Sequence, residues 1–369
     1  MKRLVGALVL FLGLATAAEA AEPVKRVVVA KGPIGEAVDR QLTSAAADRG
    51  FGGAVVIAVK DEVIVQGGWG YADRETKTPF TAETTAQIGS ITKSFTSLAV
   101  SQLAAAGKLR LDAPVGTYLR GAAEPAASAT LDQLMTHTAG LDDYCGDDFD
   151  RRTRDEVLSL CMAKPLKQPP GKHLYSNMGL SMAAAAVEAA SGQRWEDYLR
   201  DHVWRPFGMT GTGWTFAEPP AGGFAVGYKD NVGQGVISDR IAALGGADWN
   251  LKGNGGLQAS ANDMYRYYRG LKSQPEAVRE LMLKPHVEEE PGVFWGYGLA
   301  FRTDDGGKVY RIGHGGSDGV FFAYLAIYPQ QDAFAYFVGN NGEEPVRTEL
   351  QGVLRTLQTA IGAGPKPKG

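Results

Sequence analysis

The sequence contains few cysteines and histidines and no excess of basic residues, and each shortage excludes a class of protein. Its 369 residues include two cysteines and five histidines. No Cys-x-x-Cys pair and no two histidines at metal-ligand spacing occur, so we expect no metal and no cofactor. Lysine and arginine total 38 against 41 acidic residues, with no basic run, so nucleic acid is not an expected partner. The rest of the composition, 44% hydrophobic and 21% charged, is that of a soluble globular protein.

The N-terminus carries a short apolar run. Residues 1–20, MKRLVGALVLFLGLATAAEA, combine a Lys-Arg start, an apolar run from Leu4 to Ala15 and a small-x-small end, which is typical of a secretory signal peptide. The run is too short to span a bilayer, and no cysteine near the cleavage site could carry a lipid. We therefore expect cleavage after Ala20, a periplasmic or secreted protein and no stable membrane anchor. An uncleaved anchor is the alternative.

The two cysteines, Cys145 and Cys161, have two possible states. An exported chain meets an oxidising compartment, where this pair could close a disulfide worth roughly 3 kcal/mol. Two buried thiols are the alternative, and the sequence favours neither.

The order of predicted elements indicates an α+β fold, an α/β sandwich. After a leader (21–34) come a helix (35–50) and a hairpin (54–73) that turns at Lys60-Asp61. Helices are then predicted at 87–107, 130–141, 153–166, 177–192 and 261–271, with a long loop at 215–256, strands at 294–303, 308–316, 320–329 and 333–342, and a last helix at 348–361. The simplest assembly pairs the terminal strands in one antiparallel sheet flanked by helices. The domain would cover residues 35–361, with a mostly helical lobe (about 110–285) inserted and a disordered tail at 362–369.

The stretch Ser90-Ile-Thr-Lys93 places a serine three residues before a lysine at the predicted start of a helix. Side chains at i and i+3 share one helix face, so the ammonium can reach the hydroxyl. Free N–H groups at a helix start favour a developing anion, and a serine nucleophile needs a neighbouring base. Taken alone, the pattern is more typical of a capping serine and a solvated lysine.

Two further segments change this interpretation. Tyr175-Ser-Asn177 precedes a predicted helix, and His314-Gly-Gly316 lies on a strand with almost no side chains, where a substrate backbone can approach. With Ser90-Ile-Thr-Lys93, these motifs resemble the penicillin-recognising serine hydrolases, in the class C β-lactamase-like branch. That branch includes D-alanyl-D-alanine carboxypeptidases, D-aminopeptidases and β-lactamase-fold esterases. The resemblance covers about residues 35–360, including the flanking stretches LMTHTAGL, RPFGMTGT, GGLQASANDM and GNNG.

The resemblance implies a β-lactamase/transpeptidase-like fold and specific catalytic roles. Ser90 would attack a carbonyl and form an acyl-enzyme, while Lys93 and Tyr175 would move its proton. Their unperturbed pKa values are near 10.4 and 10, so one of them must be shifted, and which residue takes the proton first is left open. Asn177 would hydrogen-bond Lys93 or the substrate amide.

The third motif would supply the oxyanion hole and the substrate-binding edge. The backbone N–H groups of Ser90 and Ser317 would bind the oxyanion, and His314, Gly315 and Gly316 would lie beside the substrate. In β-lactamases this motif usually begins with lysine. Because histidine is mostly neutral at pH 7, a substrate carboxylate would lose its anchor here. Arg311, three positions away on the strand, faces the opposite side of the sheet.

A rival pattern overlaps the third motif. Residues 315–319, GGSDG, also fit the Gly-x-Ser-x-Gly elbow of α/β-hydrolases, with Ser317 as the nucleophile. That fold requires a helix after the serine and a later histidine, whereas a strand pattern follows and His314 is the last histidine. The other histidines are expected to be structural: His137, His173, His202 and His286.

The sequence therefore predicts an exported serine hydrolase that forms a Ser90 acyl-enzyme with a small amide or ester, such as a D-amino-acid peptide. A class C-like β-lactamase is one alternative, and a non-catalytic penicillin-binding sensor or scaffold is another. The expected partner is a small molecule or short peptide, and the oligomeric state is left open. The loop at 215–256 and the stretch after Leu141, DDYCGDDFD, are expected to shape the acyl pocket.

Overall fold

The computed structural model describes residues 25–364. The predicted signal peptide (1–20) and residues 365–369 of the predicted tail lie outside the described residues. The segment predicted as a leader contains a strand and the first turn of a helix. Within the described part of the chain, no helix is both long and apolar enough to cross a membrane.

Strands occupy both ends of the described chain, as the sequence predicted. In chain order they are β1 Lys25–Ala30, β2 Gly53–Val59, β3 Glu62–Trp69, β4 Tyr71–Asp73, β5 Thr78–Pro79, β6 Ala86–Gln87, β7 Tyr228–Lys229, β8 Val232–Gly233, β9 Gln258–Ala259, β10 Val287–Glu290, β11 Val293–Trp295, β12 Ala300–Thr303, β13 Val309–Ser317, β14 Phe322–Tyr328 and β15 Ala333–Gly339. Nine of them form one antiparallel sheet in the order β1-β3-β2-β15-β14-β13-β12-β11-β10. Strand β2 pairs directly with β15, so the predicted pairing of the terminal strands is confirmed.

Most helices lie between β3 and β10 in the chain. They are α1 Gly32–Arg49, α2 Thr92–Ala105, α3 Leu131–Met135, α4 Arg154–Met162, α5 Asn177–Ser191, α6 Trp195–Leu199, α7 Arg205–Phe207, α8 Ile237–Ala243, α9 Ala261–Lys272, α10 Glu276–Met282 and α11 Glu343–Ile361. Helices α3 to α10 lie within the predicted helical lobe (about residues 110–285), and α2 comes just before it. Helices α1 and α11 pack together on the other face of the sheet.

Side chains on the central strands point alternately to the two faces of the sheet and form a hydrophobic core on each face. On β2, Val55 and Ile57 face α1 and α11, while Ala54 and Val56 face the helical lobe. Strand β15 divides its side chains in the same way. Because helices cover both faces, both sets of apolar side chains are removed from water. The architecture is the predicted α+β sandwich, and it places β13 against the turn at Gly89–Ile91 that precedes α2.

Several boundaries differ from the predictions for local reasons. The single strand expected at 294–303 is two strands, β11 and β12, because the chain turns at Gly298 (φ +67°) to pass over the backbone of Lys93. Helix α3 is short because His137 takes a positive φ of 58°. Helices α1 and α11 begin earlier than expected, since Pro33 and Pro345 fall in their first turns, where a missing N–H does no harm.

Candidate active site

Ser90 lies on a single 3₁₀ turn, Gly89–Ile91, directly before α2. Gly89 has a positive φ of 51°, and a Cβ there would lie 2.6 Å from the backbone nitrogen of Ser317. Glycine therefore allows the turn to lie against the end of β13. Ser90 makes no capping hydrogen bond and is only half-buried. It therefore does not act as a helix cap, which was the alternative that the pattern alone allowed.

Lys93 is fully buried, and its ammonium group has three close oxygen neighbours. Nζ lies 2.9 Å from Ser90 Oγ, 2.5 Å from Asn177 Oδ1 and 2.7 Å from the Asn254 carbonyl oxygen. Burial lowers the pKa of Lys93 to about 7, although the charges of Asp143 and Asp148 act in the opposite direction. At neutral pH a large fraction of Lys93 is therefore the free amine.

The free amine has a defined orientation. Two N–H bonds are directed to the carbonyl oxygens of Asn177 and Asn254, which can only accept. The lone pair is then left for Ser90 Oγ, the third neighbour. The geometry thus leaves the lone pair of the free amine directed at Ser90 Oγ.

Asn177 is held by Asp143, a residue that the sequence analysis did not select. The Asp143 carboxylate accepts hydrogen bonds from the Asn177 backbone N–H and from Nδ2, both at 3.0 Å. This contact fixes the amide orientation, so that Oδ1 points to Lys93. Ser176 caps α5 by accepting from the N–H of Gly179 and places Asn177 at the first helical position.

Tyr175 is half-buried and lies in contact with both Ser90 and Lys93. Burial raises the pKa of its phenol, and a hydrogen bond with the Ser90 side chain offsets part of that effect. Lys93 Nζ lies 5.0 Å from the centre of the tyrosine ring. The phenol is consequently protonated at neutral pH and can donate a proton. The site therefore shifts the two pKa values in opposite directions, that of Lys93 downwards and that of Tyr175 upwards.

The third motif brings two backbone donors together. A Cβ on Gly316 would overlap the Ile88 carbonyl oxygen and would lie 2.8 Å from the Ser90 nitrogen. Only glycine permits this approach, which brings the end of β13 close to the Ser90 nitrogen, where the expected oxyanion hole would use the N–H groups of Ser90 and Ser317. The Ser317 hydroxyl instead donates to Glu343 Oε2 at 2.5 Å. Ser317 is followed by a strand and not by a helix, so the α/β-hydrolase elbow is not formed.

His314 is neutral in this site. It is 7% exposed, and burial together with the nearby charge of Lys93 lowers its pKa to about 3. Its Nδ1 contacts the Gly315 carbonyl oxygen, while Nε2 has no hydrogen-bond partner among the described residues. From the sequence, this position was expected to lack the fixed positive charge of a lysine, and the lowered pKa of His314 agrees with that expectation.

Comparison with known proteins places this geometry in a family. A sequence profile of the beta-lactamase family matches residues 38–358. The chain belongs to the beta-lactamase family, the penicillin-recognising serine hydrolases. Among curated relatives, the putative penicillin-binding protein PbpX of Bacillus subtilis is 31% identical over 60% of this chain and 55% of its own length. Esterase EstB of Burkholderia gladioli is 29% identical over 76% of this chain and 83% of its own length.

Two further comparisons agree with the family assignment. The D-aminopeptidase of Gluconobacter oxydans is 29% identical over 73% of this chain and 51% of its own length. The crystal structure of a penicillin-binding protein from Bacillus halodurans has a TM-score of 0.73 at 26% identity, covering 86% of this chain and 99% of that chain. The beta-lactamase fold is therefore present along most of the described residues.

In this member of the beta-lactamase family, an aromatic wall supports Tyr175. The Tyr175 ring stacks on His137 with centroids 4.4 Å apart and meets the edge of Trp295 at 5.6 Å. His173, which stands alone in the sequence, stacks on Trp295 at 5.1 Å. Glu289 fixes the wall by accepting from Trp295 Nε1 at 2.7 Å. Sequence reasoning missed Trp295 because it was placed inside a continuous strand.

The loop after Leu141 borders the site, as expected. Cys145 and Cys161 are joined by a disulfide with Cα atoms 5.4 Å apart, which ties this loop to α4. The same loop carries Asp143 and Asp148, both close enough for their charges to act on Lys93. The disulfide therefore restrains the segment that supplies the negative charge near Lys93.

Proposed function

We propose that this protein is an exported serine hydrolase that forms an acyl-enzyme on Ser90 from a small amide or ester, such as a D-amino-acid peptide. The observation that carries the proposal is the buried Lys93, whose nitrogen is held by two carbonyl oxygens and lies 2.9 Å from Ser90 Oγ. A non-catalytic binding protein would have no use for a buried lysine with a lowered pKa, because burying it destabilises the fold.

Acylation begins with proton transfer from Ser90 Oγ to the neutral amine of Lys93 as Oγ attacks the scissile carbonyl. The N–H groups of Ser90 and Ser317 stabilise the negative oxygen of the tetrahedral intermediate. When the bond to the leaving atom breaks, Tyr175 donates its phenolic proton to that atom, and Lys93 returns the serine proton to Tyr175. The leaving group departs protonated, and the acyl group remains on Ser90.

Deacylation uses the same groups in the reverse direction. A water molecule gives one proton to Lys93 while its oxygen attacks the acyl carbonyl. Collapse of the intermediate expels Ser90 Oγ, which takes the proton from Lys93. The enzyme returns to its starting protonation state, as general acid–base catalysis requires.

The site supports an amide or ester without an obligatory carboxylate beside the scissile bond. Neutral His314 provides no charge for such a carboxylate. The similarity to an esterase and to a D-aminopeptidase supports this substrate class. Export is supported by the signal-peptide pattern of residues 1–20 and by the Cys145–Cys161 disulfide, since disulfides persist in oxidising compartments.

The test is turnover of p-nitrophenyl butyrate by the purified mature chain. We expect hydrolysis that disappears in Ser90→Ala. A suitable control is Ser97→Ala, a buried serine on the same helix whose hydroxyl has no partner among the described residues. That control should retain turnover. Hydrolysis that survives in Ser90→Ala would refute the proposal.

A substrate panel then separates the alternatives. We expect a D-amino-acid amide or the simple ester to exceed a D-alanyl-D-alanine peptide and a cephalosporin in kcat/KM. Cephalosporin turnover at a rate near that of dedicated β-lactamases would show that the missing charge at His314 does not matter. Stoichiometric acylation without turnover of any substrate would favour the sensor or scaffold.

A further inference from the structure

A groove of about 560 Å³ begins at Ser90 and runs along the face of β13 that is turned towards α11. Ser90, Gly315 and Ser317 lie at its catalytic end. Three arginines line the groove: Arg302 on β12, Arg311 on β13 and Arg347 on α11. No carboxylate side chain is part of the lining, so the charged groups that line the groove are all positive.

Two of these arginines have no opposing charge among the described residues. Arg347 pairs with Glu343, but neither Arg302 nor Arg311 forms an ion pair with a described carboxylate. They are also direct cross-strand partners in the register of β12 and β13. Like charges directly opposite each other on a sheet are destabilising. An anion bound between them would remove this repulsion.

The surroundings of Arg311 hold its guanidinium in the groove. It lies 5.9 Å from the ring centre of Tyr324, which is paired with Gly315 across the sheet. Gly313 and Gly315, on the same face of β13, have no side chains that would block the path to Ser90. Arg311 is half-buried against the sheet, whereas its cross-strand partner Arg302 is exposed.

The two arginines lie at a distance from the Ser90 end of the groove. Arg311 precedes Gly315 by four residues, which is roughly 13 Å along a strand. A carboxylate next to the scissile carbonyl would not reach that far. Sequence reasoning set Arg311 aside because it faces away from His314. The structure agrees on the facing, yet the cavity that Arg311 lines extends to Ser90.

We propose that Arg302 and Arg311 form a distal anion subsite, which binds a carboxylate that the substrate carries several bonds away from the scissile amide or ester. This inference rests on the proposed function, because it names the class of substrate for the same nucleophile. Paired guanidinium groups suit a carboxylate, which they can bind through parallel N–H···O bonds. The substrate is therefore an elongated, anionic amide or ester.

The test compares two ester series that differ in the position of the carboxylate. One series consists of p-nitrophenyl monoesters of dicarboxylic acids of increasing length, and the other of butyrate esters of hydroxycarboxylic acids. Each acid is paired with its own uncharged methyl ester, and the ratio of kcat/KM for the two is the readout. We expect the ratio to reach at least about tenfold at one chain length in one series, and to fall with added salt.

Two variants test whether Arg302 and Arg311 cause the preference for the free acid over its methyl ester. In R302Q/R311Q the ratio should fall to near one, while Arg355→Gln, an exposed arginine on α11 outside the groove lining, keeps the wild-type ratio. A ratio near one at every length in the wild type, or an unchanged ratio in the double variant, would overturn the subsite. Absence of all turnover would instead refute the proposed function. The subsite would then be judged by calorimetric binding of the same dicarboxylates to wild type and R302Q/R311Q.

Discussion

Replacing Asp143 with asparagine separates the charge of this residue from its hydrogen bonds. Asparagine can still accept from the backbone N–H and Nδ2 of Asn177, the two contacts that Asp143 makes at 3.0 Å. The negative charge, which raises the pKa of Lys93, is lost. Because the catalytic amine must be neutral, the activity of the wild type falls as the pH drops through about 7. This fall in activity is the acid limb of the pH profile, and the substitution should move it to lower pH.

The size of the shift follows from the separation of the two charges. The hydrogen bonds from Lys93 to Asn177 and from Asn177 to Asp143, at 2.5 and 3.0 Å, and the amide between them put the two charges about 7–8 Å apart. At an effective dielectric constant of about 20 or somewhat higher, this gives roughly 1–2 kcal/mol, or about one pKa unit. The limb should therefore move from near pH 7 to near pH 6. At pH 6 the neutral fraction of Lys93 would rise from about one tenth to about one half.

The assay is the pH dependence of kcat/KM for a neutral ester. Hydrolysis is measured by the protons that it releases, because a chromogenic leaving group would itself titrate over the pH range. Asp147→Asn, an exposed carboxylate on the same loop, is the control and should leave the limb in place. An unchanged limb in Asp143→Asn would show that Lys93 is not the titrating base. A limb displaced to higher pH would contradict the sign of the electrostatic argument.

Three other substitutions test separate parts of the site. Tyr175→Phe should lower kcat by about 10²–10³ without moving the acid limb, and a displaced limb would show that the phenol is the base. Gly316→Ala should reduce kcat by about 10² or more at unchanged circular dichroism, because the added Cβ overlaps the Ile88 carbonyl and separates the oxyanion donors. Activity near that of the wild type would contradict this geometry. Replacing Cys145 and Cys161 by serine should lower the free energy of unfolding in urea by roughly 3 kcal/mol, and an unchanged value would show that the disulfide contributes nothing.

The sequence alone was sufficient to predict contacts between residues that are close together in the chain. Ser90 and Lys93 are three positions apart, so their contact follows from helical geometry. The fold class followed from strand patterns at both ends of the chain. Strand β2 was expected to pair with β15 because the simplest assembly joins the terminal strands in one sheet, and the paired residues Val59 and Ala333 are 274 positions apart.

The remaining features depend on contacts between distant segments. Asp143 meets Asn177, and the Asn254 carbonyl meets Lys93, across separations of 34 and 161 positions. No periodicity reports such contacts. The choice of Lys93 as the base depended on full burial, which changes its pKa by several units and cannot be known from residue type. The strand break at Gly298 likewise reflects the backbone of Lys93 beneath it.

The most direct measurement is the mass of the protein after brief reaction with a p-nitrophenyl ester and quenching in acid. We expect the added mass of one acyl group on the peptide that contains Ser90, and no added mass in Ser90→Ala. An acyl group on the peptide that contains Ser317, or steady turnover with no trapped acyl group and full activity in Ser90→Ala, would contradict it.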